Sequence, residues 1–286
     1  IAPSSYIPGL KPEQLKSISA FFNKLNYQVN FGKYLFEKKY FLAGTDEERL
    51  VDLEEAFSDN SDVVLALRGG CGLLHLLDKI DYELISKHKK PFFGYSDSTA
   101  LQNALYAKIG MPSFSGFLAK DFFEGISPLT KKTLIQCLKN EKQIFKAPFL
   151  SKGKSSGILL GGNLRVFNSL LGTPYFPDMH NKILILEDVG EAPFQIDNMF
   201  MQLKLNGVFN QISGLILGDF SRLGNQKDEK MLDLIIKEYF SHLPYPVVRF
   251  KKYSHEKNHA VIPLGGMVHL DSAKGTIILD KLKKFS

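Results

Sequence analysis

An α/β fold, with a parallel-sheet amino-terminal domain and a smaller β-rich carboxyl-terminal domain, follows from three features of the sequence. Strand-sized apolar runs such as VVLAL and PFFGY alternate with amphipathic stretches early in the chain, the pattern of a parallel sheet covered by helices. A lysine-rich stretch then interrupts the alternation, and beyond it strands and glycine turns predominate. At 286 residues and 44% hydrophobic content, the chain can bury one large core or two moderate ones. The reading is an α/β domain over residues 1–120, a linker over 121–156 and a β-rich domain over 157–286.

Each element has its own signal. PEQLKSISAFFNKLNYQV spaces Leu15, Ile18, Phe21, Phe22 and Leu25 as one helical face. TDEERLVDLEEAFSD reads as a helix capped by Thr45, with Leu50, Leu53 and Phe57 on its apolar side. VVLALR is a buried strand ending at a glycine turn, LLHLLDKI is helical, and PFFGY is the next strand. In the expected linker SPLTKKTLIQCLKN looks helical and no strand is signalled. GILLGGN, KILILED, GLILGDF and GTIILD are then strands, with helices around 197–205 and 230–240, and PVVRF is a further strand.

Bulk properties exclude several classes. Net charge is +6, but the lysines are scattered and no basic block has interleaved aromatics, which argues against nucleic acid and suits an acidic small molecule or peptide. Two cysteines, Cys71 and Cys137, cannot build a multi-bridge scaffold. No apolar run approaches the roughly 18 residues of a membrane span. The sequence begins at Ile1, which leaves room for a signal peptide removed upstream.

Four stretches carry chemistry. In PFFGYSDSTALQNALYAKIG a strand runs through Gly94-Tyr95-Ser96-Asp97-Ser98 directly into a helix ended by Gly110, the layout of a nucleophile elbow. Gly94 and Ser98 are the small flanking residues that the close strand–helix approach requires. The N–H of Asp97, at a positive helix end, suits a developing oxyanion. The competing reading is plain capping, with Thr99 and Gln102 spaced as a capping box. In ALRGGCG the N–H groups of Gly69, Gly70 and Cys71 fall at a strand's carboxyl end, where a second oxyanion donor is expected. Arg68 there is suited to a substrate carboxylate, with a structural ion pair as the alternative. The loop is neither GxGxxG nor a Walker loop, and Cys71 is expected to pack. KILILED puts Glu187 and Asp188 at a strand end where a carboxylate can orient a histidine, with Glu191 close behind; the alternative is that these acids cap a helix beginning near Pro193. Finally, His255-Glu256-Lys257-Asn258-His259 spells HExxH, yet the zinc motif needs a helix, and Pro263, Gly265 and Gly266 stand too near.

Taken together these stretches resemble the LD-carboxypeptidase family, which includes murein tetrapeptide carboxypeptidases and microcin immunity peptidases. The resemblance runs from IAPSS through YFLAGTDEERLVDLEEAFSD, ALRGGCG, FFGYSDSTAL, GILLGGNLRVFNSLLGTPYFPD, ILILEDVGEAPFQIDNMFMQL and GLILGDF to SHEKNHAVIPLG. It implies Ser96 as nucleophile, His255 as its base and Glu187 as the acid that orients the base, in a site between two domains. It further implies a mechanism needing no cofactor or metal, a murein tetrapeptide or muropeptide substrate, a homodimer and a cytoplasmic location, with a periplasmic one left open by the start at Ile1. Cys71 stands where the family usually has an aromatic residue, Ser254 where it has Gly and His259 where it has Asn, so the pocket mouth is expected to be reshaped at Cys71. The oxyanion is assigned to the N–H groups of Asp97 and Gly70. The alternatives are a microcin-immunity-like peptidase acting on a peptidyl or aminoacyl conjugate, a zinc peptidase using His255, Glu256 and His259, and a binding protein that keeps the scaffold without chemistry.

Overall fold

The computed structural model describes residues 1–123 and 125–283; residue 124 of the expected linker and 284–286 of the expected second domain lie outside the described residues. Strands β1 (Val64–Leu65), β2 (Phe92–Gly94) and β3 (Ser113–Ser115) lie parallel, with Val64 opposite Phe92 and Phe93 opposite Phe114. Phe92 and Phe93 point to opposite faces and both are buried, as a parallel sheet covered on both sides demands. The helix Asp46–Ser58 begins at a reciprocal box: Glu48 N–H donates to Thr45 Oγ1 at 3.2 Å, and Thr45 N–H donates to Glu48 Oε2 at 2.7 Å. Leu53 and Phe57 on this helix are fully buried.

LLHLLDKI is less helical than its spacing suggests. Only Leu73–His75 winds, as a single 3-10 turn, because Gly72 at φ +122° turns the chain and Asp97 Oδ2 takes the N–H of Leu73 at 3.0 Å. Leu73, Leu76, Leu77 and Ile80 nevertheless reach the core, and a new helix, Tyr82–Lys87, starts under an Asp81 cap.

The second sheet holds eight strands. It takes β4 (Gln143–Lys146), β5 (Phe149–Ser151), β6 (Lys154–Asn163), β7 (Ile183–Val189), β8 (Gly214–Ser221) and β9 (Val247–Arg249). The short β10 (Ile262–Leu264) returns to the first sheet, antiparallel to β3, before β11 (Met267–Asp271) and β12 (Thr276–Leu279) complete the second. Its order is β4-β12-β11-β6-β7-β8-β9-β5, parallel from β6 to β9 and antiparallel at both flanks.

The stretch expected to be a strandless linker therefore contains a helix, Pro128–Leu138, and the strands β4, β5 and the start of β6. β4 escapes its sequence signal because the polar Gln143 is buried and the apolar Ile144 is exposed, which cancels the usual alternation. Inside, Gln143 Nε2 donates to Val261 O at 3.0 Å, while its Oε1 has no partner among the described residues.

Candidate active site

Ser96 follows β2 directly. Its φ of +62° is a left-handed conformation uncommon for a residue with a side chain, and such strain gathers at functional turns. The helix Ser98–Ile109 starts two residues later and ends at Gly110, also left-handed at φ +61°. A Cβ on Gly94 would collide with Ser98, so strand and helix pass as closely as an elbow requires. The glycine loop closes the other side: a Cβ on Gly69 would lie 2.8 Å from Ser96 Cβ and 3.1 Å from its Oγ. Ser96 itself is half-buried.

The capping box expected as an alternative is not made. Thr99 Oγ1 accepts the N–H of Asn163 at 3.0 Å, Gln102 Nε2 donates to Phe114 O at 2.8 Å, and Asp97 offers its helix no side-chain cap. The Asp97 carboxylate instead ties the elbow to the glycine loop through Leu73, and burial raises its pKa above the usual carboxylate range. No acceptor among the described residues takes the N–H of Asp97 or of Gly70. Arg68 Nη1 donates to the carbonyl of Tyr6 at 2.6 Å rather than to a carboxylate.

Glu187 lies fully buried near the carboxyl end of β7. The β7–β8 register slips between Leu186 and Asp188, and Gly218 opposite leaves the space: a Cβ there would lie 2.8 Å from Glu187 Cβ. Glu187 Oε2 is 2.7 Å from His255 Nδ1, and Asn163 Nδ2 donates weakly to Oε1 at 3.4 Å. A proton on Nδ1 bonded to this carboxylate leaves the lone pair on Nε2, which is buried and meets no partner among the described residues. The His255 ring rests on the Tyr95 ring at 4.5 Å between centroids, beside the residue that precedes Ser96. No hydrogen bond joins Ser96 to His255; in unliganded sites such bonds are often long and tighten with substrate.

Spacing left Glu187, Asp188 and Glu191 unresolved, and the structure separates them. Asp188 accepts from Asn163 Nδ2 at 2.9 Å, Val189 N–H at 2.8 Å and Arg165 N–H at 3.0 Å, and burial followed by the neighbouring Glu187 charge pushes its pKa up to about 6. Glu191 pairs with Arg165 at 2.5 Å. None of the three caps the helix Pro193–Leu205, whose start is closed by Ala192 N–H donating to Gln195 Oε1 at 2.8 Å. Asn163, which touches both Glu187 and Asp188, was missed in the sequence; its only signal is its place at the end of the GILLGGN strand.

The HExxH stretch is not on a helix but in a run of turns and bends over 251–258 that ends in irregular chain at His259. His255 faces Glu187, Glu256 is exposed against Arg222, and His259 Nδ1 donates to the Glu256 carbonyl at 2.7 Å. The zinc alternative thus lacks the shared helix face on which it depends. Among the described residues no three or more His, Cys, Asp or Glu side chains are grouped to hold a metal ion. Cys71 was expected to pack and does not: between Gly70 and Gly72, both at positive φ, it is exposed, with Sγ 3.6 Å from Ser5 Oγ. The buried cysteine is Cys137.

The sequence matches the LD-carboxypeptidase N-terminal domain over residues 1–116 and the LD-carboxypeptidase C-terminal domain over 156–270. The chain belongs to the LD-carboxypeptidase family. A probable murein peptide carboxypeptidase of Bacillus subtilis is 35% identical over 279 residues, covering 94% of this chain and 88% of its own. The crystal structure of muramoyltetrapeptide carboxypeptidase from Oxalobacter formigenes superposes with a TM-score of 0.87 at 32% identity, covering 99% and 97% of the two chains. The MccF-like protein of Bacillus anthracis shares the fold, with a TM-score of 0.88 at 24% identity over 99% and 95%. LD-carboxypeptidase membership fixes the fold and the broad activity class, a carboxypeptidase. No helix among the described residues is long and apolar enough to cross a membrane.

Proposed function

We propose that this LD-carboxypeptidase is a serine enzyme that removes the terminal D-alanine from murein tetrapeptides, free or muropeptide-bound. The observation that supports the reading is the buried Glu187–His255 pair at 2.7 Å, whose imidazole has no partner at Nε2 and rests against the ring of Tyr95, the residue before Ser96. His255 Nε2 takes the Ser96 hydroxyl proton as Oγ attacks the carbonyl joining an L-centre to the terminal D-residue. The oxyanion is held by the N–H groups of Asp97 and Gly70. His255 gives its proton to the leaving amine, D-alanine departs, and water activated by the same imidazole releases the shortened peptide. Glu187 keeps the Nδ1–H tautomer and stabilises the imidazolium. Arg68 receives the terminal carboxylate, its position set by the Tyr6 carbonyl. A homodimer, carried over from the family, belongs to the same proposal.

Incubating the protein with a defined murein tetrapeptide and weighing the products tests the reading. The expected result is loss of one alanine from the tetrapeptide with wild type and no detectable product with Ser96→Ala. Near-normal release by Ser96→Ala, or release that a chelator stops and zinc restores, would overturn it.

A further inference from the structure

The histidine that the proposed reaction needs is carried by a segment without regular secondary structure, residues 251–260, whereas Ser96 sits on a rigid strand–helix elbow. Glu187 fixes one ring nitrogen, but a single hydrogen bond leaves the imidazole free to swing about it. What fills the remaining space is Tyr95. Its ring lies 4.5 Å from that of His255, tilted by 32°, and 5.9 Å from that of His259, nearly parallel at 15°. Its edge meets Tyr253 at 5.5 Å, and Tyr253 is itself anchored to Ser115 at the end of β3 by a 2.7 Å hydrogen bond. The buried Tyr95 hydroxyl lies near the Glu187 carboxylate without reaching hydrogen-bond geometry with any described residue, so the contacts with His255 and His259 are made by the ring.

We infer that Tyr95 is a positioning residue: its ring holds His255, and the turn-rich segment around it, in register with the neighbouring Ser96. The inference rests on the serine-peptidase reading and adds to it the part that couples base to nucleophile. Tyr95 is joined to Ser96 through the backbone, so the elbow and the surface on which the imidazole rests move as one body. A ring packed on the imidazole in this way favours one imidazole orientation over the others. Misplacing a reacting group by about 1 Å can cost about 100-fold in rate, which sets the size of effect to look for.

The test compares Tyr95→Phe, which keeps the ring, with Tyr95→Leu, which removes it, reading kcat and KM on a murein tetrapeptide. Tyr95→Phe should stay within about threefold of wild type, and Tyr95→Leu should lose roughly 10- to 100-fold in kcat with KM little changed. A second reading needs no turnover: with histidine rings labelled with carbon-13, the His255 signal, assigned by its loss in His255→Gln, should carry a ring-current shift in wild type and Tyr95→Phe that Tyr95→Leu abolishes. Because the shift can be measured in the Ser96→Ala background, failure of the serine mechanism and failure of this inference give different results. Unchanged kcat in folded Tyr95→Leu, an equal loss in Tyr95→Phe, or a His255 signal indifferent to the ring would overturn the inference. Should Tyr95→Leu not fold, the Tyr95→Phe kinetics and spectrum still decide between ring and hydroxyl.

Discussion

Gly69 sits where any side chain would press on the proposed nucleophile, because a Cβ would come within 2.8 Å of Ser96 Cβ and 3.2 Å of the Tyr95 carbonyl. Substituting alanine should therefore push the hydroxyl off its line of attack while the rest of the fold adjusts. The expected outcome for Gly69→Ala is a fall in kcat/KM of about 100-fold with a thermal midpoint close to wild type, checked by peptide kinetics beside a melting curve. At this scale much was legible in the sequence. Ser96 announces itself by the small residues around it, and Glu187 by its place at the end of an apolar strand. Three participants were not legible, for different physical reasons. Tyr95 acts through ring contacts made across the chain, Gly218 through space it leaves empty, and Asn163 through bonds to two acids that lie 24 and 25 residues further along. None of these relations has a sequence period.

Two elements owe their placement to buried ionisable side chains. Arg49 on the helix Asp46–Ser58 is 1% exposed and donates to the carbonyls of Pro3 and Gly72 as well as to Asp46, so one guanidinium pins the amino-terminal segment and the glycine loop to the helix. Arg49→Met should lower the unfolding free energy by about 3 kcal/mol, because two buried carbonyls lose their donor; urea unfolding checks this. The turn between β6 and the helix Leu164–Asn168 leans instead on Asp188. Its pKa rises from 3.8 to about 6 in the folded protein, so folding favours its protonated form. The stabilisation from this group is complete below about pH 4 and is lost as pH rises through about 6, a change of about 3 kcal/mol. The unfolding free energy of wild type relative to Asp188→Asn should fall by that order between pH 4 and pH 7; parallel curves would contradict the assignment. Elements with an amphipathic period, such as the Thr45-capped helix, could be read in advance. β4 could not, because tertiary contacts bury its glutamine and expose its isoleucine, overriding the local pattern.

Across the whole molecule, one hydrophobic cluster spans both sheets, and one strand of the second half crosses into the first sheet. Phe57, Phe92 and Leu101 from the first part of the chain cluster with Leu159, Ile183, Val248 and Ile277 from the second, and β10 crosses back to pair with β3. Calorimetry should therefore show a single cooperative unfolding transition with equal calorimetric and van't Hoff enthalpies; two resolved transitions would mean that the halves fold independently. The alternation of strands and helices made the α/β class readable, but the crossing of β10 is a matter of topology that no local pattern records. This shared construction brings the His255 imidazole from one half against the Tyr95–Ser96 elbow in the other, where the two are proposed to act as one unit. The measurement that tests it most directly is kcat/KM for D-alanine release by Ser96→Ala, His255→Gln and the double variant. If they act together, each single variant loses several orders of magnitude and the double variant loses no more than either; losses that multiply in the double variant would mean that Ser96 and His255 act independently.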